Sequence, residues 1–240
     1  MGSKMKIVDY FLPIIQQRIE DYNIKTYVEP FCGGCNVIEK VICDKKIASD
    51  NHKYLIAMFK NLDKIHTLPE FITKEHYSEV RDCFNKGLTT FPDWYIGAIG
   101  FLASYNGRFF DGGYGAVVKN KNNERHYYDE AKRNLLAQIP NLQGIDWLYG
   151  DYKEICDGLE DCLIYCDIPY KNTKQYGTSK NFNYDEFWNW ATNMSEKNIV
   201  LVSEHIAPSD WECVWEQPIK RTMNHGNVKK AVEKLFEIRE

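Results

Sequence analysis

The sequence predicts an α/β protein with an open, mostly parallel, doubly wound sheet that is interrupted by a mostly helical lobe. Three observations carry this. Two apolar runs without polar alternation, Cys162-Leu163-Ile164-Tyr165-Cys166 and Ile199-Val200-Leu201-Val202, have the length and composition of strands buried on both faces. Near the N-terminus the patterns of strand, glycine turn, helix and strand follow one another, as in the first half of a doubly wound sheet. Between these regions lie about ninety residues of helical character, too many for an ordinary connection.

In chain order, residues 7–22 carry Phe11, Ile14, Ile15 and Ile19 at helical spacing. Thr26-Tyr27-Val28-Glu29-Pro30-Phe31 reads as a strand running into the turn Cys32-Gly33-Gly34. A helix is expected over residues 36–41, and a second strand over Lys46-Ile47-Ala48-Ser49, ending at Asp50. Helical stretches follow around 54–62, 74–85 and 94–102, then a polar segment rich in glycine and aromatic residues from Tyr105 to His126. Strand patterns resume at Trp147-Leu148-Tyr149, at 163–166 and at 199–202, with terminal strands expected at 212–215 and 234–238. Residues 1–53 and 142–240 are thus read as one α/β domain, and 54–141 as an inserted lobe.

The 240 residues are 44% apolar and 27% charged, which suits a folded globular chain. No apolar run approaches the roughly eighteen residues of a membrane span, and the N-terminal residues have no signal-peptide core, so a cytoplasmic protein is expected. The eight cysteines are scattered through apolar segments and read as buried thiols. Cys32 and Cys35 with Cys162 and Cys166 are the alternative, a zinc site. The second spacing fits that poorly, and no metal is expected. A net charge of −4 argues against a protein that coats nucleic acid nonspecifically, though not against local positive charge at a specific site. Two stretches are locally basic: 171–180, with Lys171, Lys174 and Lys180, and 217–232, with Lys220, Arg221, Lys229 and Lys230. Either can be a solvated loop. The first directly follows the proposed site, which favours phosphate contact.

Asp167-Ile168-Pro169-Tyr170 ends the most apolar strand, at the sheet edge where α/β proteins bind ligands. A carboxylate, a peptide stiffened by proline and an aromatic ring suit transfer of a group to an exocyclic amine of a nucleobase. The lone pair of such a nitrogen is drawn into the ring. Two acceptors holding its hydrogens, the Asp167 carboxylate and the Ile168 carbonyl, would turn the lone pair outward, while Tyr170 stacks on the base. On the first-strand side, Gly33 and Gly34 allow close approach to a nucleoside, and Asp50 can take ribose hydroxyls. Neither G-x-G-x-x-G nor a P-loop is present, so a nucleoside cofactor without a pyrophosphate fits better than NAD or ATP.

With these motifs in order, the chain resembles the DNA adenine-N6 methyltransferases of the group that includes the bacterial Dam enzymes and many phage-encoded relatives. The resemblance rests on Gly2-Ser3-Lys4, on Glu29 to Gly34, on Asp50-Asn51, on the insertion, on Gly150-Asp151-Tyr152 and on the Asp167 to Tyr170 turn, which is Asp-Pro-Pro-Tyr in the family. It spans nearly the whole chain. It implies a Rossmann-like methyltransferase sheet, S-adenosylmethionine as methyl donor and double-stranded DNA as substrate. The cofactor would be lined by Lys4, Glu29, Pro30, Phe31, Gly33, Gly34, Asp50, Asn51, Asp151, Tyr152 and Asp167. Tyr105-Asn106-Gly107-Arg108 and Gly113-Tyr114-Gly115 resemble the family's DNA-contacting hairpin, so Tyr105, Asn106, Arg108 and Tyr114, with Lys119, Lys171 and Lys174, are the candidate DNA contacts. Arg108 is the candidate for a two-bond contact to a guanine edge; an interdomain or phosphate-pairing role is the alternative. Ile168 in place of the first proline implies a less rigid turn, and no aromatic residue stands ahead of Lys4 as it does in the family. N4-cytosine or protein-glutamine methylation uses similar turns, and an inactive DNA-binding relative is a further alternative. The aspartate and the motif order favour adenine.

Overall fold

The computed structural model describes residues 4–120, 123–171, 182–220 and 230–238. Gly2, Ser3, Lys174, Lys180, Arg221 and Lys229 lie outside the described residues, and Lys119 is placed by its backbone alone.

A 3-10 turn at Lys4–Lys6 leads into α1 (Val8–Asp21), whose Val8, Phe11, Ile15 and Ile19 are buried at helical spacing. Pro13 inside this helix costs about 3 kcal/mol. Burying four apolar side chains at about 1.5–3 kcal/mol each outweighs it. Strands β1 (Thr26–Glu29) and β2 (Lys45–Asp50) follow, then α2 (Lys53–Phe59), α3 (Lys74–Asn85) and α4 (Asp93–Leu102). A hairpin of β3 (Val117–Asn120) and β4 (Asn123–His126) precedes α5 (Tyr127–Gln138). The chain then runs through β5 (Ile145–Tyr149), α6 (Tyr152–Ile155), β6 (Cys162–Asp167), α7 (Tyr184–Ser195), β7 (Ile199–Glu204), β8 (Trp211–Lys220) and β9 (Lys230–Ile238).

Seven strands form one sheet in the order β5-β2-β1-β6-β7-β9-β8, all parallel except β9, which runs against both neighbours. Strand alternation divides the core into two layers. Tyr27, Ala48, Leu163, Tyr165, Leu201 and Leu235 face α1 and the helices that follow β2. Val28, Ile47, Ile164, Cys166, Val200, Val202 and Phe236 face α6 and α7, against Tyr152, Phe187 and Ala191. The chain leaves β1 towards β2 on one side, and β6 and β7 lie on the other. The crevice at the C-terminal ends of β1 and β6 is therefore the topological switch point, where ligands bind in such sheets. Arg18 grips Glu237 through paired bonds of 2.9–3.1 Å, which ties α1 to β9 and brings the Lys4 end of the helix to the Glu233 end of that strand.

The mixed α/β sheet matches the expected class, and the details differ in four places. Residues 36–41 form successive turns, not a helix, with Lys40 N bonded to the Val37 carbonyl at 2.9 Å. Val37, Ile38 and Val41 are buried as their spacing suggests. Here an i to i−4 bond from Glu39 N to the Cys35 carbonyl at 3.3 Å stands between i to i−3 turns, so no α-helix propagates. Helices α5 and α7 were not among the expected ones. The second has a legible start, since the Asn183 side chain accepts from Glu186 N at 3.2 Å. Both terminal strands are longer than their apolar cores. Finally, the helical region does not sit apart from the sheet: Phe59 of α2 stacks on Trp147 of β5 at 4.8 Å, and one core runs from α1 into α3 and α4.

Helices α2 and α4 are in direct backbone contact at Gly97, where a Cβ would lie 2.1 Å from the Tyr54 carbonyl oxygen and 3.2 Å from the Met58 Cβ. Gly97→Ala is expected to force the two helices apart and destabilise the protein by about 1–3 kcal/mol, in spite of alanine's better helix propensity. A lowered urea midpoint followed by circular dichroism is the expected result; an unchanged midpoint would contradict this packing.

Candidate active site

Alternation places three acids on one face. Glu29 lies two residues beyond Tyr27, Asp50 two beyond Ala48, and Asp167 two beyond Tyr165, and those three all belong to the α1 layer. Because β2, β1 and β6 are adjacent, the three carboxylates stand in a row along the switch-point edge.

Asp50 is held by backbone. Gly33 N donates to its Oδ2 at 3.2 Å and His52 N to its Oδ1 at 2.9 Å. Gly33 has φ +46°, a conformation that favours glycine, and it swings the turn after β1 onto the end of β2. Burial pushes the Asp50 carboxyl up to about 6, against the pull of those two N–H groups. Glu29 is 3% exposed and accepts from Tyr27 OH at 2.7 Å. Burial, with the charge of Asp167 adding to it and the Tyr27 bond opposing it, pushes Glu29 up to about 8. Pro30 is buried, Gly34 and Asn51 are exposed, and Phe31 is half-buried against Tyr152 at 5.1 Å between ring centroids. Asp151 caps the short α6 by accepting from Lys153 N at 3.0 Å. Cys32 and Cys35 are buried free thiols; the hydrogen bond that Cys32 donates to Cys35, then burial, pushes Cys32 far up. No cluster of three His, Cys, Asp or Glu side chains suited to a metal ion occurs among the described residues.

The Asp167 end of the crevice is a network. Lys4, 5% exposed, places its ammonium 3.0 Å from Asp167 Oδ1 and 3.2 Å from Glu233 Oε2, and it also bonds the Tyr170 hydroxyl. Burial works against the Lys4 charge, but Asp167 and Glu233 outweigh it and hold its pKa above the ordinary value. Asp167 is a quarter exposed, and burial raises its pKa in spite of Lys4. Tyr170 is buried and donates to Glu233 Oε2 at 2.5 Å, and its ring meets the His205 imidazole edge-on at 4.6 Å. Ile168, 2% exposed, packs into the α7 layer, so side-chain burial anchors the turn where the family has a proline ring. Pro169 is half-buried. Lys171 N donates to Glu204 Oε1 at 2.7 Å, and His205 N bonds the other oxygen of the same carboxylate.

Glu204, His205 and Glu233 were not among the expected site residues. A signal for two of them was present: Glu204 lies two residues beyond the core residue Val202 on the same strand face, and Glu233 shares its strand face with the core residue Leu235. An acid at a core-facing strand position needs a partner, and that need is readable.

The candidate DNA loop closes on itself. Tyr105 N bonds the Gly113 carbonyl at 3.0 Å and Gly115 N the Ala103 carbonyl at 2.9 Å. A Cβ at Gly115 would lie 2.6 Å from Tyr105 N and Cα, so the loop needs glycine there. Tyr105 and Asn106 are exposed at its start and Arg108 is half-buried. Tyr114 points inward, with its hydroxyl on the Ile72 carbonyl at 2.7 Å and its ring 5.6 Å from that of Tyr77. Lys171 is exposed beside the Tyr184 ring.

The raised Glu29 has a consequence for stability. In the unfolded chain it titrates near about 4.3 and in the folded one near 8, so between these values the native state holds a proton that the unfolded state has lost. That contribution is complete below pH ~4 and is lost as pH rises through 8, at roughly 1.4 kcal/mol per unit within the window. Glu29→Gln keeps an acceptor for Tyr27 and cannot ionise. Its stability measured against that of the parent should therefore rise steadily between pH 5 and 8, by a few kcal/mol in all. Parallel curves would mean that Glu29 is ionised in the folded protein.

Residues 1–200 match the family model described as D12 class N6 adenine-specific DNA methyltransferase. The type II methyltransferase M.MjaIII of Methanocaldococcus jannaschii is 24% identical over 213 residues, covering 78% of this chain and 72% of its own length. Modification methylase StsI of Streptococcus sanguinis is 26% identical over 223 residues, 83% of this chain, which spans only 32% of that longer protein. The family match takes in β1 and β2, the region between them and β5, and the Asp167 to Tyr170 turn at the switch point of a methyltransferase-like sheet. The chain belongs to the D12 class of N6-adenine-specific DNA methyltransferases.

Proposed function

We propose that this chain methylates adenine N6 at a short specific sequence in double-stranded DNA, with S-adenosylmethionine as the donor. The row of Asp50, Glu29 and Asp167 along one sheet edge, with Asp167 paired to Lys4, is the observation that carries the reading. Two of these acids, Asp50 and Glu29, are raised by burial, to about 6 and about 8. A cofactor bearing an ammonium and a sulfonium would favour their charged forms, so the donor set fits this group. Gly33, Gly34 and Asn51 would border it, Asp50 would take its ribose hydroxyls, Phe31 and Tyr152 would flank its base with Asp151 at their edge, and Lys4, Pro30 and Asp167 would close the remaining side. The cofactor, when bound, supplies an electrophilic methyl group on a good leaving group.

Catalysis by the chain itself is then a matter of placement. Asp167 accepts one N6 hydrogen and the Ile168 carbonyl accepts the other, which turns the nitrogen lone pair out of conjugation. Pro169 keeps Ile168 extended, so that the carbonyl holds its direction. Tyr170 lies against the flipped base from its position on Glu233. Residues 54–141 serve as the target-recognition lobe, with Tyr105, Asn106 and Arg108 at the duplex and Lys119, Lys171 and Lys174 near phosphates; Tyr114 supports the loop from within. One relative is named a modification methylase, which supports DNA modification as the setting, and a cytoplasmic location belongs to the same reading.

Two substitutions test the assignment with tritiated S-adenosylmethionine and unmethylated genomic DNA. Asp167→Ala should cut methyl transfer by about a hundredfold or more in protein that is still folded, since Lys4 keeps Glu233 as a partner. Substantial turnover in that variant would sink the acceptor role. Asp50→Ala should weaken cofactor binding by about 1.5–3 kcal/mol, roughly ten- to a hundredfold in calorimetry, and leave cofactor-free DNA affinity nearly unchanged. The opposite pattern would mean that Asp50 belongs to the DNA surface.

A further inference from the structure

We propose that Glu233 on β9 is a positioning residue for methyl transfer, acting on Asp167 through Lys4 and Tyr170. The inference rests on the acceptor role given to Asp167 above. Glu233 is 5% exposed and faces the α1 layer. An acid in such a place costs several kcal/mol unless it is paired. Its Oε2 receives the Tyr170 hydroxyl at 2.5 Å and the Lys4 ammonium at 3.2 Å. Burial works against its charge, but Lys4 and then Tyr170 outweigh it and hold the carboxyl below the ordinary range, so it is an anion.

Two effects on the turn follow. The first is mechanical. Asp167 is fixed by β6, and three residues later the Tyr170 hydroxyl is fixed to β9, with β7 between the two strands. A short turn tied at both ends across the sheet cannot swing its middle, and the middle contains the Ile168 carbonyl. The second is electrostatic. A single ammonium is shared by two carboxylates, at 3.0 Å from Asp167 and 3.2 Å from Glu233. Without the competing anion Lys4 would belong to Asp167 alone. The tighter pair would keep Asp167 ionised but make it a poorer acceptor for an amine hydrogen. The groups that bear on Asp167 are Lys4 from the N-terminal turn, Glu29 from β1, Tyr165 and Cys166 from its own strand, Tyr170 from the turn, Glu204 from β7 and Glu233 from β9. Of these Lys4 lowers its pKa, while Glu233 and Glu204 raise it. Removing the Glu233 charge must therefore shift Asp167 downward.

The test is the pH dependence of single-turnover methyl transfer at saturating S-adenosylmethionine and unmethylated genomic DNA, for the parent, Glu233→Gln, Tyr170→Phe and the double variant. Glu233→Gln should lower the plateau rate about ten- to a hundredfold and move the acid limb to lower pH, with KM values for cofactor and DNA within about twofold. Tyr170→Phe should lower the plateau as well, and the double variant should be no slower than Glu233→Gln alone, because the Tyr170 hydroxyl acts through its contact with Glu233. Glu233→Asp, which keeps the charge and shortens the reach, should lose rate while the acid limb stays in place. An unmoved acid limb in Glu233→Gln, additive losses, or a loss of rate that only follows a loss of folded protein overturns the inference. If Glu233→Gln does not fold, Glu233→Asp with Tyr170→Phe decides it: rate loss without a shift supports the positioning role, and parent-like rates refute it. Asp167→Ala separates the two readings. Activity in that variant removes the acceptor role itself, whereas its inactivity beside a parent-like Glu233→Gln removes only this inference.

Discussion

Lys4 brings a positive charge into a place that water barely reaches, and the catalytic edge of the sheet is organised around it. Moving an ammonium out of water costs several kcal/mol, and the cost is recovered only where anions and hydrogen-bond acceptors stand in fixed positions. Here they come from distant parts of the chain: Asp167 from the end of β6, Glu233 from β9 and the Tyr170 hydroxyl from the turn between β6 and α7. None of the four groups would be comfortable alone. Together they join the N-terminal segment, the central strand and the reversed strand β9, so the geometry of the turn depends on the completed sheet.

The two central carboxylates illustrate a tension common to such edges. Asp167 has a cation at 3.0 Å and is still raised by burial; Glu29 has the Tyr27 phenol, the Ile38 backbone N–H and the charge of Lys46, and burial still raises it to about 8. The site thus carries more acid than its own cations can balance. A protein that binds a cationic ligand gains from such an imbalance, since the incoming charge meets carboxylates that the fold alone leaves partly protonated. The same imbalance limits the stability of the ligand-free protein above neutral pH. Stability and binding are set against each other at one position, a frequent property of functional sites.

The parts of this arrangement that were legible in the sequence are those written in local pattern. Apolar runs located β6 and β7, and the acids closing β2 and β6 stood out because each follows a buried strand. What was not legible depends on the third dimension. Residues 36–41 have the spacing of a helix and are buried like one, but their backbone closes i to i−3 turns, which local apolar spacing does not announce. Helix α5 was hidden behind a hairpin whose polar residues looked like plain loop. Glu233 belongs to the site only because β9 inserts between β7 and β8, and no local pattern announces an insertion of that kind. Tyr114 was expected at the DNA surface with its neighbours, yet in this loop its hydroxyl is spent on the Ile72 carbonyl.

The substitution of Ile168 for proline shows how one function can be held by different physics. A proline there would stiffen the turn by its own covalent geometry, without help from neighbours. Isoleucine has no such restraint and must be held by its surroundings. They are present: its side chain is buried in the α7 layer, Lys171 N and His205 N converge on Glu204, and the Tyr170 hydroxyl ends on Glu233. Rigidity that is covalent in one sequence is here spread over packing and two buried acids from neighbouring strands. A turn of this kind is as rigid as the sheet around it. Changes on β7 or β9, remote in sequence from residues 167–170, therefore act on this turn as directly as changes within it.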